Sequence, residues 1–522
     1  MRGGSGKFTA WILLLAALAI SLLSASRTVA FLPSHHGYLT SMGLAMGKNL
    51  DREHHFLLFT RKWVNAEGKS GVDPHNRFPI LSYALISRAE SGCGNDPSCE
   101  MWRGRVLMLL FCWGALALST LLLLELSANP TNPTLAVSAA LLAFSSYFLQ
   151  YYNDMVFNDV PAVFGFILVL LGIARFEMRG STFLLTVGAL LGIALGWQCY
   201  APLVTWWILQ ALIALKTAGL VGGVREVLRS QATKTMVLAV AWGCLLLVFN
   251  VLNEKSALKV PLGELPSVRS IQFRLGMKGG SEEFPEYQEL KWGNFLNKQA
   301  RRVMKATIPT RPLHAAVNRW SETENSGLRL LLGVTGLALF AGTLFCLGKL
   351  YFGMKRQRLA FLVVLLSGLL WCLSMRQFTA FHDFQAMFYV GFAMTLFWAI
   401  LSRLPQKAMG WVAVGSLAVF AFSAVDLNRF KTQEGRDFES RTSDFAAIRK
   451  VVGENRRIQV GLTDAEFEAE FVPFRFYMAG NFYSDPTHAE FVITRDRTFA
   501  PPTLTPDNHE YFLFRAPSSS SP

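Results

Sequence analysis

The sequence predicts an all-α polytopic membrane bundle of about 11 transmembrane helices, with a small α/β domain outside the membrane at its C-terminal end. Three observations predict this class. Of 522 residues, 52% are hydrophobic and only 16% are charged, against about a quarter charged in ordinary soluble chains. Several stretches exceed the roughly 18 apolar residues that cross a bilayer. A backbone in lipid pairs its own N–H and C=O groups, so these spans are helices. Beyond residue 425 the apolar runs stop, and short helical and strand patterns alternate.

The first apolar stretch, "FTAWILLLAALAISLLSAS", follows a basic start at Met1–Lys7. It has the layout of a secretory signal, but it is long for a cleaved segment and reads as an uncleaved first span. The spans lie at 8–26, 104–125, 134–152, 160–175, 182–198, 200–215, 235–253, 327–348, 359–374, 385–402 and 409–425. The sixth follows the fifth through the tight "QCYAP" turn.

Orientation comes from charge. The segments on one side of these spans carry 14 Lys/Arg against Glu125, Glu177 and Glu226, which is +11 of the whole-chain +14. Short basic loops mark the inner side, so the N-terminus is inside and residues 27–103, 254–326 and 426–522 are outside. The net charge is then a topology signal that needs no nucleic-acid partner, although a pI of 9.5 alone suggests one. The chain divides into a membrane domain at 1–425 with outer loops 27–103 and 254–326, an outer α/β domain at 426–515, and a low-complexity tail at 516–522.

The outer regions carry their own patterns. Of seven cysteines, five lie in or at the ends of spans as small apolar fillers. Cys93 and Cys99 in "CGNDPSCE" are placed to form a disulfide in an oxidising compartment. "LTSMGLAMGKNL" puts Leu39, Met42, Leu44 and Met46 on a rough stripe, and "RFPILSYALISRAES" spaces Phe78, Leu81, Leu85 and Ile86 helically. Both read as interfacial helices, the second with Pro79 where a helix begins. Between them, "HHFLLFTRKWVNAEGKSGVDPHN" reads as polar chain with aromatic punctuation. In the last region "FAAIRKVVGENR" reads as a helix, "RIQVGLT", "AEFVITRD" and "EYFLFRA" as strands, and "FVPFRFYMAGNFY" as mixed.

Four stretches, in this order and on one side of the membrane, carry a resemblance: "HHGYLTSMGLAMGKNLD", "HNRFPILSYALISRAESG", "YYNDMVFNDVPAVFGFILVLLGIARFE" and "FTAFHDFQAMFYVGFAM". With "FYMAGNFYSDPTHAEFVITRD" in the outer domain, the chain resembles the GT-C superfamily of membrane glycosyltransferases. Within it, the chain is similar to the family of protein O-mannosyltransferases and aminoarabinose transferases. The resemblance implies a GT-C-like bundle and transfer of a sugar from a polyprenyl-phosphate donor to an envelope lipid, glycan or protein. It also implies an outer-face site in a membrane such as the bacterial inner (plasma) membrane. The chain departs from the family twice. His35-His36 stands where the family has an acidic pair, and "GWQCYAP" carries Gln198 where some members have a Thr-Lys-Gly-like sequence.

Such a transfer needs a base for the acceptor proton and positive charge for the leaving phosphate. His36 is the candidate base, since an imidazole accepts a proton near neutral pH without large tuning; the alternative is a helix cap or headgroup contact. Asp154 and Asp159 flank "MVFN" at the outer mouth of the third and fourth spans, where carboxylates are costly and usually functional. On one helix their five-residue spacing is about 140° of rotation, so they share a face only if the loop is irregular. Asp159 also reads as the N-cap of the fourth span with Pro161 in its first turn. Asp154 is the preferred partner of His36. Arg77, Arg376 and His382 are candidates for the donor phosphate, which an arginine fork suits; Arg301 and Arg302 are alternatives. Five of nine histidines, His35, His36, His54, His55 and His75, fall in the first outer region. Imidazole suits zinc, but no His-x-x-x-His pair occurs there, so no cofactor is assigned and a divalent metal stays open. Two other classes remain open: an inactive scaffold of the family, and a transporter or flippase, although no internal repeat is visible.

Overall fold

The computed structural model describes residues 3–25, 34–50, 57–75, 78–94, 96–127, 133–274, 292–322, 341–342, 344–354, 357–376, 379, 382–435, 439–461, 476–496, 502–506 and 511–516. Its helices in chain order are α1 (Gly3–Ala25), α2 (Ser34–Lys48), α3 (Ile80–Glu90), α4 (Pro97–Leu126), α5 (Pro133–Phe144), α6 (Tyr147–Tyr152), α7 (Asp159–Arg179), α8 (Phe183–Leu195), α9 (Tyr200–Arg229), α10 (Gln231–Leu258), α11 (Pro266–Arg274), α12 (Trp292–Ala306) and α13 (Arg311–Glu322). α14 (Leu344–Gly353), α15 (Arg358–Ser374), α16 (Val390–Leu401), α17 (Met409–Gly435) and α18 (Glu439–Val452) follow. Among the described residues seven helices are long and apolar enough to cross a membrane, and α5, α8, α14 and α15 are shorter apolar helices. The protein is an integral membrane protein.

α7 lies at the heart of the bundle between α4 and α8, and α5 packs on α16 and α17. The stretch read as one span at 134–152 is broken. α5 stops at Phe144, and Ser146 is extended at φ −60°, ψ 149° ahead of α6. The Ser145 hydroxyl donates to Leu141 O at 2.7 Å, the local bonding by which serine competes with helix continuation. The stretch read as a span at 385–402 begins as a tight 3-10 turn, Asp383–Tyr389, before α16. Most of the expected span at 327–348 lies outside the described residues, as does the tail at 517–522.

α2 is not an interfacial helix. Leu39, Thr40, Ser41, Met42, Leu44, Ala45 and Met46 are all buried, so it has no solvent face to lay on lipid headgroups. The buried face of α3 is Ser82, Tyr83, Ile86 and Glu90 rather than the Leu81–Leu85 edge, and Pro79 precedes its first turn. The Cys93–Cys99 disulfide forms and closes the turn before α4.

One six-stranded sheet lies outside the bundle in the order β2-β1-β4-β3-β5-β6. Its strands are β1 (Phe59–Val64), β2 (Ser70–Pro74), β3 (Arg457–Gly461), β4 (Phe482–Ser484), β5 (Phe491–Thr494) and β6 (Phe512–Arg515). The strands expected in the C-terminal region form β3, β5 and β6. The β1–β2 hairpin was not expected, and it makes the sheet a joint product of two distant regions. β1 pairs in parallel with β4 through Lys62–Val64 and Phe482–Ser484.

Ion pairs lock the sheet layer to the bundle. Arg449 of α18 donates to both carboxylate oxygens of Glu100, at 3.0 and 2.8 Å, in the first turn of α4. Lys48, at the end of α2, reaches Glu100 at 3.4 Å and Glu454 at 2.6 Å. Beside them Glu90 is buried, and neither of its carboxyl oxygens has a hydrogen-bond partner. Burial, reinforced by the Glu100 charge, raises its pKa well above the usual carboxylate value. Replacing Arg449 by Met leaves the buried Glu100 only its longer contact with Lys48 and is expected to cost about 3 kcal/mol. Arg456→Met, in the exposed pair with Glu490, is expected to cost at most about 1 kcal/mol. Thermal unfolding of the two variants in one detergent compares them.

Candidate functional site

The site is built around the loop that carries "SSYFLQYYNDMVFNDVP". Residues 148–163 are buried without exception, although five of them are polar or charged: Gln150, Asn153, Asp154, Asn158 and Asp159. A buried irregular segment has to find partners for those groups. They come from every side. Tyr83 of α3 donates to Asn158 Oδ1 at 3.3 Å, and Ser423 of α17 donates to Ser145 O at 2.8 Å. α2 comes so close that a Cβ on Gly43 would overlap the Val156 carbonyl, so only glycine permits that approach.

Asp154 forms a buried ion pair. Lys431 of α17 donates to its Oδ1 at 2.6 Å and to Gln150 O at 3.3 Å, with both side chains at most 5% exposed. Burial opposes ionisation of Asp154, but Lys431 and the nearby charge of Arg105 prevail and hold its carboxyl below the usual range. The expected partnership of Asp154 with His36 falls on a side chain outside the described ones. The His36 backbone lies in the first turn of α2, seven residues from Gly43, or about 10 Å along the helix.

Asp159 is the first residue of α7, and Asn158 takes the N-cap position. The Asp159 carboxylate bonds two glutamines. Its Oδ1 accepts from Gln198 Nε2, in the turn between α8 and α9, and from Gln385 Nε2 at 2.8 Å. Gln385 in turn accepts from Trp371 Nε1 at 2.7 Å. Asp159 is 2% exposed, Gln198 4% and Gln385 0%. The chain's departure at Gln198 therefore bears directly on the second acidic residue. The two carboxylates point to different partners, as the irregular turn between α6 and α7 allows.

Next to this network, α12 meets the 3-10 turn that starts at Asp383. Asp383 Oδ1 accepts from the Tyr152 hydroxyl at 2.6 Å. On α12, Gln299 accepts from the Tyr389 hydroxyl at 2.9 Å, and the buried Arg302 donates to Thr379 O. Burial lowers the proton affinity of Arg302 and the Asp383 charge opposes that; an arginine stays charged throughout. Lys298, one turn earlier, feels both Arg302 and Asp383. Arg301 points to solvent. Arg376 lies over the Trp292 ring at 4.4 Å, and His382 packs against Phe384 at 5.0 Å. Arg77, His54 and His55 lie outside the described residues. His75 packs on Phe78 at 5.5 Å. Among the described residues no three His, Cys, Asp or Glu side chains gather to hold a metal.

Of the residues expected from sequence, Asp154 and Asp159 lie in this buried loop, while Arg376 and His382 are placed against Trp292 and Phe384. The sequence reading ranked Arg302 low and missed Lys431, Arg105, Gln385, Lys298, Asp383 and Tyr152. A signal existed for two of these, since Asp383 and Gln385 sit in the "FHDFQAM" stretch already singled out.

α13 packs on α17. Arg311 makes a bidentate pair with Asp426 at 2.9 and 3.0 Å. His314 stacks on Tyr147 at 4.5 Å, and its Nε2 is buried without a hydrogen-bond partner. Burial, with a contribution from Lys305, pulls its pKa down to about 4. An unfolded histidine titrates near 6.5, so the unfolded chain takes up a proton first as pH falls. Folded stability is expected to drop between pH 6.5 and 4. His314→Phe, which keeps a stacking ring, is expected to flatten that part of the pH profile of the thermal midpoint.

No protein-family model matches the chain, and no curated protein sequence does. Among solved structures it is similar to ArnT from Cupriavidus metallidurans bound to undecaprenyl phosphate, with TM-score 0.53, 12% identity, and 98% of this chain and 99% of that chain covered. The apo state of the same protein gives TM-score 0.50 and 12% identity over 97% and 98% of the two chains. The apo oligosaccharyltransferase from Archaeoglobus fulgidus gives TM-score 0.47 and 10% identity over 94% of this chain and 69% of that one. The likeness to ArnT shows the fold.

Proposed function

We propose, from the GT-C fold that the chain shares with ArnT, that it is a membrane glycosyltransferase taking its sugar from a polyprenyl-phosphate donor. The observation that carries this reading is the meeting of the half-buried Asp383 with α12 cations, beside the buried Asp159, at one mouth of the bundle. Asp159 and Asp383 lie there with Arg302 and Lys298. The crystal of ArnT holds undecaprenyl phosphate, which supports a donor of that class here.

In the reaction the acceptor hydroxyl attacks the anomeric carbon, the bond from that carbon to the phosphate oxygen breaks, and polyprenyl phosphate leaves. Arg302 and Lys298, with Arg376, Arg77 and His382 as further donors, meet the charge that grows on the phosphate. Asp159 takes the hydroxyl proton. Its two amide partners fix the direction of the carboxylate, which is the first requirement of a general base. His36 is the second proton acceptor, on a helix that runs past the same loop. Asp154 positions that loop through Lys431. The donor tail stays in the bilayer, the acceptor is an envelope lipid, glycan or protein, and the site faces outward with the N-terminus inside. Residues 1–425 form the membrane domain and 426–515 the outer domain in this reading. The membrane is the bacterial inner one.

The test is sugar transfer by the purified chain in lipid, supplied with polyprenyl-phosphate sugars extracted from membranes. Asp159→Asn is expected to lower transfer about 100-fold or more, and His36→Ala to lower it less. Asp154→Asn is expected to lower thermal stability along with activity, because it strands Lys431. Wild-type protein that transfers from no such donor, or Asp159→Asn at wild-type rate, overturns the reading.

A further inference from the structure

The segment between the sixth and seventh spans reads from sequence as a basic loop, "KTAGLVGGVREVLRSQATK". In the structure most of it is helix. α9 turns sharply at Gly219, whose φ of 67° and ψ of −175° lie outside the helical region and suit glycine alone. After the turn, residues 220–229 continue as a helix that folds back on α9, with Gly223 against Leu215 and Val227 buried. This turn lies at the end of the bundle away from the sheet. α10 contacts β2, and Asn250 near its outer end donates to Phe78 O. α10 begins at Gln231, about 40 Å from its other end at 1.5 Å per residue.

The faces of this short helix sort by chemistry. At about 100° per residue, Gly223 and Val227 point to α9. Leu220, Val224, Leu228 and Val221 fill the next arc, and they are exposed at 76%, 46%, 66% and 85%. Arg225 and Arg229 border that arc on its far side. Lys216 and Lys234 lie just before the turn and just after the helix. All four cations are without an ion-pair or hydrogen-bond partner among the described residues. A bare apolar arc edged by long cationic side chains is the layout of a helix lying in a bilayer interface, with its charges reaching the headgroups.

We propose that residues 220–229 form a lipid-docking helix that grips anionic headgroups of the leaflet facing away from the sheet. The occupant is an anionic phospholipid surface. Four cations against the single carboxylate Glu226 give the charge match, and the exposed apolar arc gives the depth. The turn at Gly219 lets the helix leave the spanning direction of α9 and lie along the interface.

The experiment uses the full chain in vesicles of about one part phosphatidylglycerol to nine parts phosphatidylcholine. A photo-crosslinking side chain replaces Val221 in one protein and Glu226, on the polar side, in another. The expected result is lipid adducts at 221 and few at 226, with phosphatidylglycerol enriched about fivefold over its share of the vesicle. That enrichment is expected to fall when Lys216, Arg225, Arg229 and Lys234 are all changed to Gln, with adduct formation at 221 retained. Equal yields at 221 and 226, no lipid adduct at 221, or adducts in simple proportion to vesicle composition overturn the proposal.

Discussion

A charged, irregular loop buried at the head of an apolar bundle is the constraint that organises this protein. Within it, the Lys431–Asp154 pair is the interaction on which the rest depends. In a low-dielectric interior neither charge is tolerable alone, so α17 has to sit where Lys431 reaches the loop. The same helix then supplies Ser423 to the Ser145 carbonyl and Asp426 to Arg311 of α13. Once α17 is fixed, α5 and α1 pack against it. The turn from α6 to α7 is free to send Asp159 toward the two glutamines instead of toward Asp154.

The outer layer serves the same loop from above. α2 lies against Val156, α3 holds Asn158, and α2 is tied through Lys48 and Glu100 to Arg449 of the sheet layer. The region before α4 and the C-terminal region therefore share one sheet and one ion cluster.

Much of this was legible from the residues. Long apolar runs marked the helices, because lipid leaves a backbone no other choice. "RIQV", "FVIT" and "FLFR" marked strands, and the six-residue spacing of Cys93 and Cys99 marked the disulfide. What was hidden depended on distant pairing. Lys431 stands in "NRFKTQEG", a stretch that looks solvated until α17 is carried past the expected span end at 425. The β1–β2 hairpin was masked because "FLLFTRKWV" lacks clean alternation, and its strand neighbour β4 is about 420 residues away in sequence. Asp159 read both as a site carboxylate and as a cap, because its spacing to Pro161 suits one, and nothing local reveals Gln198 and Gln385. Arg302 looked like half of a solvated basic pair, yet the period of α12 buries it and leaves Arg301 outside.

The central claim is that the mouth where α12 meets the 3-10 turn at Asp383 receives a lipid phosphate. The most direct measurement is the affinity of the purified chain for polyprenyl phosphate lacking a sugar, in wild type, Arg302→Gln and Arg301→Gln. The account predicts binding by wild type, a loss of about tenfold or more in Arg302→Gln, as for a lost hydrogen bond to a charged group, and little change in Arg301→Gln. Equal affinity in all three proteins, or no binding by wild type, would contradict it.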